Sequence, residues 1–256
     1  PGCVSIVLGF AYMALRWDGI HAERTATIAP DAGSVAPPSA SYRSLLLRVS
    51  IIVFFTTAVS SVIFQATTFA LPKIFDERLQ GLAAELSAWI QNVAGAGQSD
   101  VATVIGSLAF IVFAVASIAQ LVVGSMLDRF GPRHVFMVVA TIQLIFFMAM
   151  PGLRDGMALA VALCFMLGAF GQIPINDYMI GKTASGAYRA RIYGVRYVVS
   201  FTALATSLPF IAFVYQTWGF DTLFRILAGA AIVIFCAVTI LPRKLPTPEV
   251  AAEAAE

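Results

Sequence analysis

The sequence predicts an all-α membrane protein, a bundle of transmembrane helices, and three observations lead there. Of the 256 residues, 59% are hydrophobic and only 12% are charged, about half the charged share of an ordinary soluble domain. The mean hydropathy is +0.86, and the apolar residues cluster in runs long enough to cross roughly 30 Å of hydrocarbon as helices. The positively charged residues fall between these runs, in segments that alternate between the two sides of a membrane.

The apolar runs divide the chain into a short leading segment and six full spans. Residues 1–15 are short for a span, so we expect the end of a truncated transmembrane helix. Residues 16–44 are rich in Pro, Ser, Ala and Gly, which is typical of a flexible linker. The six-helix bundle occupies residues 45–241, with spans at about 45–71, 101–124, 135–151, 156–180, 197–217 and 222–241. Residues 242–256 are predicted to form a disordered cytoplasmic tail.

The connection between the first two full spans, residues 73–100, is more polar than the spans. It nevertheless contains apolar side chains at helical spacing: Leu79, Leu82, Leu86, Trp89 and Val93. This spacing predicts an amphipathic helix lying at the membrane interface, with an ordinary structured loop as the alternative.

The six spans also form two groups of three with opposite topology, the inverted repeats common in secondary transporters. Topology alone supports the repeats.

The arginines and lysines predict the orientation of the bundle. If residues 16–48 are cytoplasmic, loops 125–134 and 181–196 and the start of the tail lie on the same side. That side then holds twelve of the 16 positive residues: Arg16, Arg24, Arg43, Arg48, Arg129, Arg133, Lys182, Arg189, Arg191, Arg196, Arg243 and Lys244. The other side keeps Lys73, Arg78, Arg154 and Arg225. We therefore expect a multi-pass protein of the cell membrane (inner or plasma), with its C-terminus in the cytoplasm.

The turn between the second and third full spans carries a motif, and residues 124–133 read Gly-Ser-Met-Leu-Asp-Arg-Phe-Gly-Pro-Arg. It resembles the signature loop of the major facilitator superfamily, G-x-x-x-D-R-x-G-R-R. The matching residues are Gly124, Asp128, Arg129, Gly131 and Arg133, whereas Pro132 departs from the pattern. A merely charged turn is the alternative. In that family the loop helps to hold the inward-closed state and controls switching between states.

The spacing of this motif has a physical reason at each position. We expect Gly124 to let two helices approach closely and Gly131 to permit a backbone turn that a Cβ atom would oppose. Asp128 can face the N-terminus of the following span, where the helix dipole favours a carboxylate. Arg129 and Arg133 can pair with Asp128 or anchor at lipid head groups.

The resemblance extends to the whole chain. Members of the family have twelve spans in two six-helix halves, so residues 1–15 correspond to the end of span six and residues 45–241 to spans seven to twelve. Residues 188–196 resemble the basic loop before span eleven, and Pro209 lies where that span often bends. The resemblance implies secondary active transport of a small solute by alternating access, in partnership with a missing N-terminal six-helix half and with a coupling ion such as H⁺. A non-transporting membrane scaffold or interaction protein built on such a half is the alternative, whereas no ring of charge or filter-like run indicates a channel.

Polar groups inside spans are costly, so each is a candidate for a solute cavity. In the family, spans seven, eight, ten and eleven line the cavity. This implies the candidates Gln65, Thr67, Thr68, Gln120, Gln172 and Asn176, with interhelical hydrogen bonding as the alternative for each. Gln143, in the third full span, is expected to be structural. Gly168, Gly171 and Pro174 interrupt the fourth full span, either to allow bending and packing or to expose backbone to a solute.

Asp177 is the acidic residue expected inside a span and outside the signature loop. Three cations lie just beyond it, Arg189, Arg191 and Arg196, and a carboxylate facing them predicts a breakable cytoplasmic gate. Proton coupling by Asp177 and a solvated charge at the helix end are the alternatives, although an acid beside arginine should stay ionised.

Other classes of function lack support in the sequence. A net charge of +2 suggests no nucleic-acid partner, and the sequence contains no His-Glu-x-x-His, Gly-x-Ser-x-Gly or P-loop motif. His21 and His134 cannot build a membrane metal site between them. Cys3, Cys164 and Cys236 do not form a disulfide framework. We therefore expect no catalytic residues, no metal and no cofactor.

Overall fold

The computed structural model describes residues 40–94, 100–183 and 189–241, and every regular element in these ranges is an α-helix. The helices are α1 (Ala40–Arg78), α2 (Gln80–Ala94), α3 (Val101–Phe130), α4 (Pro132–Ala149), α5 (Asp155–Thr183) and α6 (Arg189–Thr239). The predicted truncated helix at 1–15, the linker up to residue 39 and the predicted tail at 242–256 lie outside the described residues.

The described helices supply the six predicted spans. Five of them, α1, α3, α4, α5 and α6, are long and apolar enough to cross a membrane. A straight helix of the 51 residues of α6 would be roughly 75 Å long, more than twice the thickness of the hydrocarbon core. Gly219, with φ 78° and ψ 178°, is the one non-helical position inside α6. It divides the helix into a first limb, residues 189–218, and a second limb, residues 220–239.

The two limbs run in opposite directions. The first limb is parallel to α1, because Ser61 lies 3.5 Å from Ser200 near one end and Glu77 bonds to Tyr215 near the other. The end of the second limb returns to the start of α4, where Arg133 donates to the carbonyl oxygen of Thr239 over 2.8 Å. We call the end of the bundle that holds Gly131 the signature end, and the other the opposite end.

Two predicted helix starts and one predicted helix interruption differ from the structure. α1 begins at Ala40, inside the predicted linker, and residues 189–196, predicted as loop, form the first turns of α6. α5 is one continuous helix through Gly168, Gly171 and Pro174 rather than an interrupted one. Hydropathy marks where a chain enters lipid, whereas helices continue into the polar interface as long as their backbone hydrogen bonds can form.

The core of the bundle forms around α5. In the most apolar 18-residue stretch of α5, 56% of the residues are buried, against 28% in the corresponding stretch of α3. Aromatic rings join three segments there, because the ring centre of Phe165 lies 5.2 Å from that of Phe147 in α4 and 5.5 Å from that of Phe224 in the second limb. Edge and tilted ring contacts of this kind add to the burial of large apolar side chains. α5 therefore serves as the central packing element of the described chain.

The two groups of three helices, predicted as inverted repeats from topology alone, also share a pattern of residues that the sequence did not reveal. α3 joins α4 through Gly131, and the first limb joins the second through Gly219. Both glycines follow an aromatic residue and have nearly equal φ angles, 76° and 78°. The residues that follow are buried in matching order: Val135, Phe136, Val139 and Ala140 after Gly131, and Leu223, Phe224, Leu227 and Ala228 after Gly219. Because the two turns lie at opposite ends of the bundle, the triplets are related as inverted repeats.

Candidate functional site

The signature turn is a single residue. α3 ends at Phe130 and α4 begins at Pro132, so Gly131 alone reverses the chain, with φ 76° and ψ 159°. Its N–H donates to the carbonyl oxygen of Leu127 over 3.0 Å. This backbone region is open essentially to glycine only, as the sequence predicts. Pro132 occupies the first position of α4, where a missing N–H is tolerated, which explains the departure from the pattern.

The charged residues of the turn behave differently from the sequence expectation. Arg133 donates to the carbonyl oxygen of Thr239, so it caps the C-terminus of the second limb instead of pairing with Asp128. The guanidinium of Arg129 lies 5.3 Å from the ring centre of Phe130. Asp128 is exposed and has no hydrogen bond to the described part of α4. A Cβ atom on Gly124 would meet nothing within 4 Å, so the expected close helix approach is not present among the described residues.

Two of the four residues predicted to form a cytoplasmic gate, Asp177 and Arg196, meet at the signature end. Asp177, near the end of α5, forms an ion pair with Arg196, near the start of the first limb. The side chain of Asp177 is 48% exposed and that of Arg196 is 16% exposed. Arg189 and Arg191 belong to the first turn of α6, and their side chains lie outside the described part of the chain. The pair thus links two spans within reach of water.

Gln172 makes an interhelical contact. Its Nε2 donates to Oε1 of Gln143 in α4 over 2.5 Å, and both side chains are almost fully buried. A Cβ atom on Gly168 would lie 2.7 Å from Cγ of Gln143, and one on Gly171 would lie 3.1 Å from Cγ2 of Val123 in α3. The glycines of α5 therefore allow close packing against α3 and α4, and Gln143 is structural, as predicted.

Two further candidates have partners within the bundle. Asn176 is buried and accepts a bond from Thr57 in α1 over 3.4 Å. Thr67 is buried and donates to the carbonyl oxygen of Ile63 in its own helix over 2.8 Å. Both arrangements satisfy the polar group without a solute. The assignment of these residues to a cavity stays a prediction.

Four candidates keep free hydrogen-bonding capacity among the described residues, and one of them is Gln172, whose buried Oε1 has no partner. The Oγ1 atom of Thr68 is buried without a partner. Gln120 is partly buried on α3. Gln65 is partly buried on the side of α1 that also exposes Ile51 and Phe69. A glutamine on this side is costly against lipid, so Gln65 is the candidate best placed to face a solute or another part of the protein.

Comparison with known proteins gives the family. Residues 98–256, more than half of the chain, match the sequence model of the Major Facilitator Superfamily. The chain belongs to the major facilitator superfamily. Among curated proteins none matches the chain. The match and the apolar helices make the chain a multi-pass membrane protein of a transporter superfamily whose members are generally not enzymes.

The major facilitator fold is tied together at the opposite end by residues that the sequence reading missed. Arg78, at the end of α1, donates to the carbonyl oxygens of Met150 and Leu153 over 3.3 and 3.0 Å and forms an ion pair with Asp221. The N–H of Gly152 donates to the same carboxylate over 3.2 Å. This Arg78 network joins α1 to the α4–α5 connection and to the second limb. Its members are far apart in the chain, so no local pattern reveals it.

The Arg78 network borders a small cavity of about 190 Å³ at the opposite end. Glu77, Arg78, Gly152, Arg154 and Asp221 line it, and Glu77 also accepts a bond from the hydroxyl of Tyr215. The cavity contains two cations and two anions, and three of these four charges already have a partner. It lies away from the candidate solute residues of α1, α3 and α5, so it is distinct from the predicted cavity.

Proposed function

We propose that this major facilitator protein performs secondary active transport of a small solute by alternating access, with residues 45–241 acting as one six-helix half beside a second half. Membership of the superfamily supports the general activity. The observation that carries the mechanism is the ion pair between Asp177 and Arg196 at the signature end, which is placed where a gate on the cytoplasmic side would operate.

The strength of the pair suits a contact that breaks in every cycle. Asp177 is about half exposed, and ion pairs reached by water contribute only about 0–1 kcal/mol. At the opposite end, Arg78 bonds to two backbone carbonyls as well as to Asp221. The two ion pairs are about equally exposed, so the two additional carbonyl bonds of Arg78 are what hold the opposite end of this half more firmly. A weak contact at one end and a firm one at the other favours opening at the signature end.

The solute contacts in this half are neutral in our proposal. Gln65 and Gln120 retain donors and acceptors, and Thr68 has a buried hydroxyl without a described partner. Gln172 and Asn176 already bond across helices, so they act as secondary candidates. A charged solute would then need its counter-charge from the second half.

The test uses the full-length protein in proteoliposomes. A thermal-shift screen first identifies a solute, because a ligand stabilises the state that it binds. Asp177→Asn and Arg196→Gln are then expected to slow uptake of that solute and to increase labelling of a cysteine at Gln65 by a water-soluble maleimide added on the signature side. The charge-exchanged variant, Asp177→Arg with Arg196→Asp, should restore part of the uptake.

Asp76→Asn is the matched control, because the pair of Lys73 and Asp76 spans 2.8 Å with both side chains 52% exposed and lies at the opposite end. Unchanged uptake and labelling in the Asp177 and Arg196 variants would remove the gate. Absence of any stabilising solute and of any uptake would favour a scaffold role instead.

Orientation and coupling complete the proposal. We expect the signature end and the C-terminus to face the cytoplasm of a cell membrane, since this orientation assigns twelve of the 16 positive residues of the sequence to cytoplasmic segments. A cysteine added at the C-terminus should react with an impermeant reagent only after the membrane is opened. Coupling to an ion such as H⁺ predicts that an imposed pH gradient drives solute accumulation.

A further inference from the structure

The amphipathic helix α2 carries an apolar surface that the bundle does not cover. Leu79, Ala83 and Ser87 are buried against the bundle, while Trp89 and Val93 are 62% and 66% exposed. Trp89 and Val93 are four residues apart, so they share one side of the helix. Leu82 and Leu86, partly buried, continue the same side at helical spacing.

The polar residues of α2 occupy a third side. Gln80, Glu85, Gln91 and Asn92 are exposed. Gln91 lies on the side of the helix opposite Trp89, whereas Glu85, four residues before Trp89, borders the apolar side. A helix that contacts only protein and water needs one apolar buried side and one polar exposed side. The additional side of α2, which is apolar and exposed, indicates contact with another apolar medium.

The position of α2 shows which medium that is. α1 ends beside α2 at the opposite end, and α3 begins there too, because its other end is at Gly131. At 15 residues, α2 is about 22 Å long, too short to cross a bilayer core of roughly 30 Å. It is therefore a short helix at the opposite end, between the end of α1 and the start of α3. About ten residues into α3, Phe110 and Ile111 are also large, apolar and exposed, at 71% and 53%.

A contact from α5 fixes α2 in this position. The N–H of Leu82, in the first turn of α2, donates to Oδ1 of Asp155 over 2.9 Å, which satisfies one of the donors that a helix start leaves unpaired. A Cβ atom on Gly81 would lie 2.9 Å from the same oxygen, so glycine makes room for the carboxylate. Asp155 also has φ 50°, a left-handed backbone that few residues with a Cβ adopt.

We propose that α2 is a membrane-interface helix that inserts Trp89 and Val93 into the boundary between head groups and acyl chains, on the side of the membrane reached by the opposite end. Tryptophan favours this depth because its ring is apolar while its N–H can bond to a head group. The lipid contact, together with Asp155, anchors the connection between α1 and α3. It does not depend on the transport mechanism proposed above.

The test places a nitroxide side chain at one position at a time in the full-length protein, freed of other reactive cysteines and reconstituted in lipid. Collisions of the nitroxide with lipid-soluble oxygen and with a water-soluble nickel chelate are then compared. At positions 89 and 93 the ratio of oxygen to nickel collisions should be about threefold or more above that at positions 84 and 91 on the opposite side of the helix. All four positions are exposed, so the label disturbs no packed contact.

Two results would overturn the proposal. Preferential collision with the nickel chelate at 89 and 93 would place this side of α2 in water. Protection of both positions from both reagents would show that protein covers them, from the rest of the transporter or from a second copy. An Asp155→Ala variant adds a second readout, because loss of the carboxylate should reduce the difference between the two sides of α2, whereas Asp100→Ala, at the start of α3, should not.

Discussion

Replacement of Gly168 by alanine tests the packing of α5 against α4. A Cβ atom at this position would lie 2.7 Å from Cγ of Gln143, and Cγ is too near the backbone to move away easily. Gln143 must shift, and its bond from Gln172 is then strained or lost. Overpacking costs about 1–3 kcal/mol, and a buried polar group without its partner costs about 1–3 kcal/mol.

An opposing effect reduces the expected loss. Alanine is favoured over glycine inside a helix by about 0.5–1 kcal/mol. The net destabilisation of Gly168→Ala is therefore about 3 kcal/mol, which for a bundle of this size corresponds to a loss of about 9 °C in Tm. Thermal unfolding of the purified full-length protein in one detergent measures the change. Gly229→Ala is the matched control, because it lies inside the second limb and its Cβ would meet nothing within 4 Å.

A double variant assigns the loss to the named contact. In a Gln143→Ala background the obstructing Cγ atom is absent, so Gly168→Ala should cost little or even stabilise. An equal loss of Tm in both backgrounds would refute the reasoning, as would a Gly168→Ala protein that melts no lower than the Gly229→Ala control.

Two further perturbations follow from the ends of the bundle. Arg78→Ala removes two bonds to backbone carbonyls and the pair with Asp221, and should destabilise the protein by about 2–4 kcal/mol. Lys73→Ala, the control in an exposed pair, should change Tm by no more than the scatter between preparations. Equal Tm values for the two variants would contradict the role of Arg78. Gly131→Ala and Gly219→Ala each force a Cβ into the region of φ 76–78° with extended ψ and should each cost about 1–3 kcal/mol, so a thermal melt that shows neither loss would mean that the turns can adopt another backbone.

Much of the fold follows from local properties of the chain. Length and hydropathy locate the six spans because each must cross the same thickness of lipid. Glycine at position 131 predicts the signature turn because few other residues accept that backbone. The helix ends could not be predicted in this way, since the arginine-rich start of α6 remains helical although it is too polar to lie in hydrocarbon.

The contacts between distant residues were less predictable. Asp177 and Arg196 were paired from sequence because they flank one short connection. Arg78 and Asp221 are separated by 143 positions, and nothing local indicates that they meet. The sequence leaves open whether Gln172 faces a solute or bonds between helices. Its amide nitrogen bonds to Gln143, and the direction of a polar side chain depends on which helix packs beside it. The repeat after Gly131 and Gly219 was missed because it is confined to buried positions.

This repeat has a consequence for how the protein enters the membrane. The matching glycine turns give the two triplets the same pair of packed helices at opposite ends of the bundle, so these turns alone do not decide the orientation in which the bundle is inserted. The orientation then depends on the residues that differ between the two turns. Arg129 and Arg133 flank one turn, whereas Asp221 follows the other. Transferring the positive residues from the first turn to the second should therefore yield a well-packed bundle with the opposite orientation in the membrane.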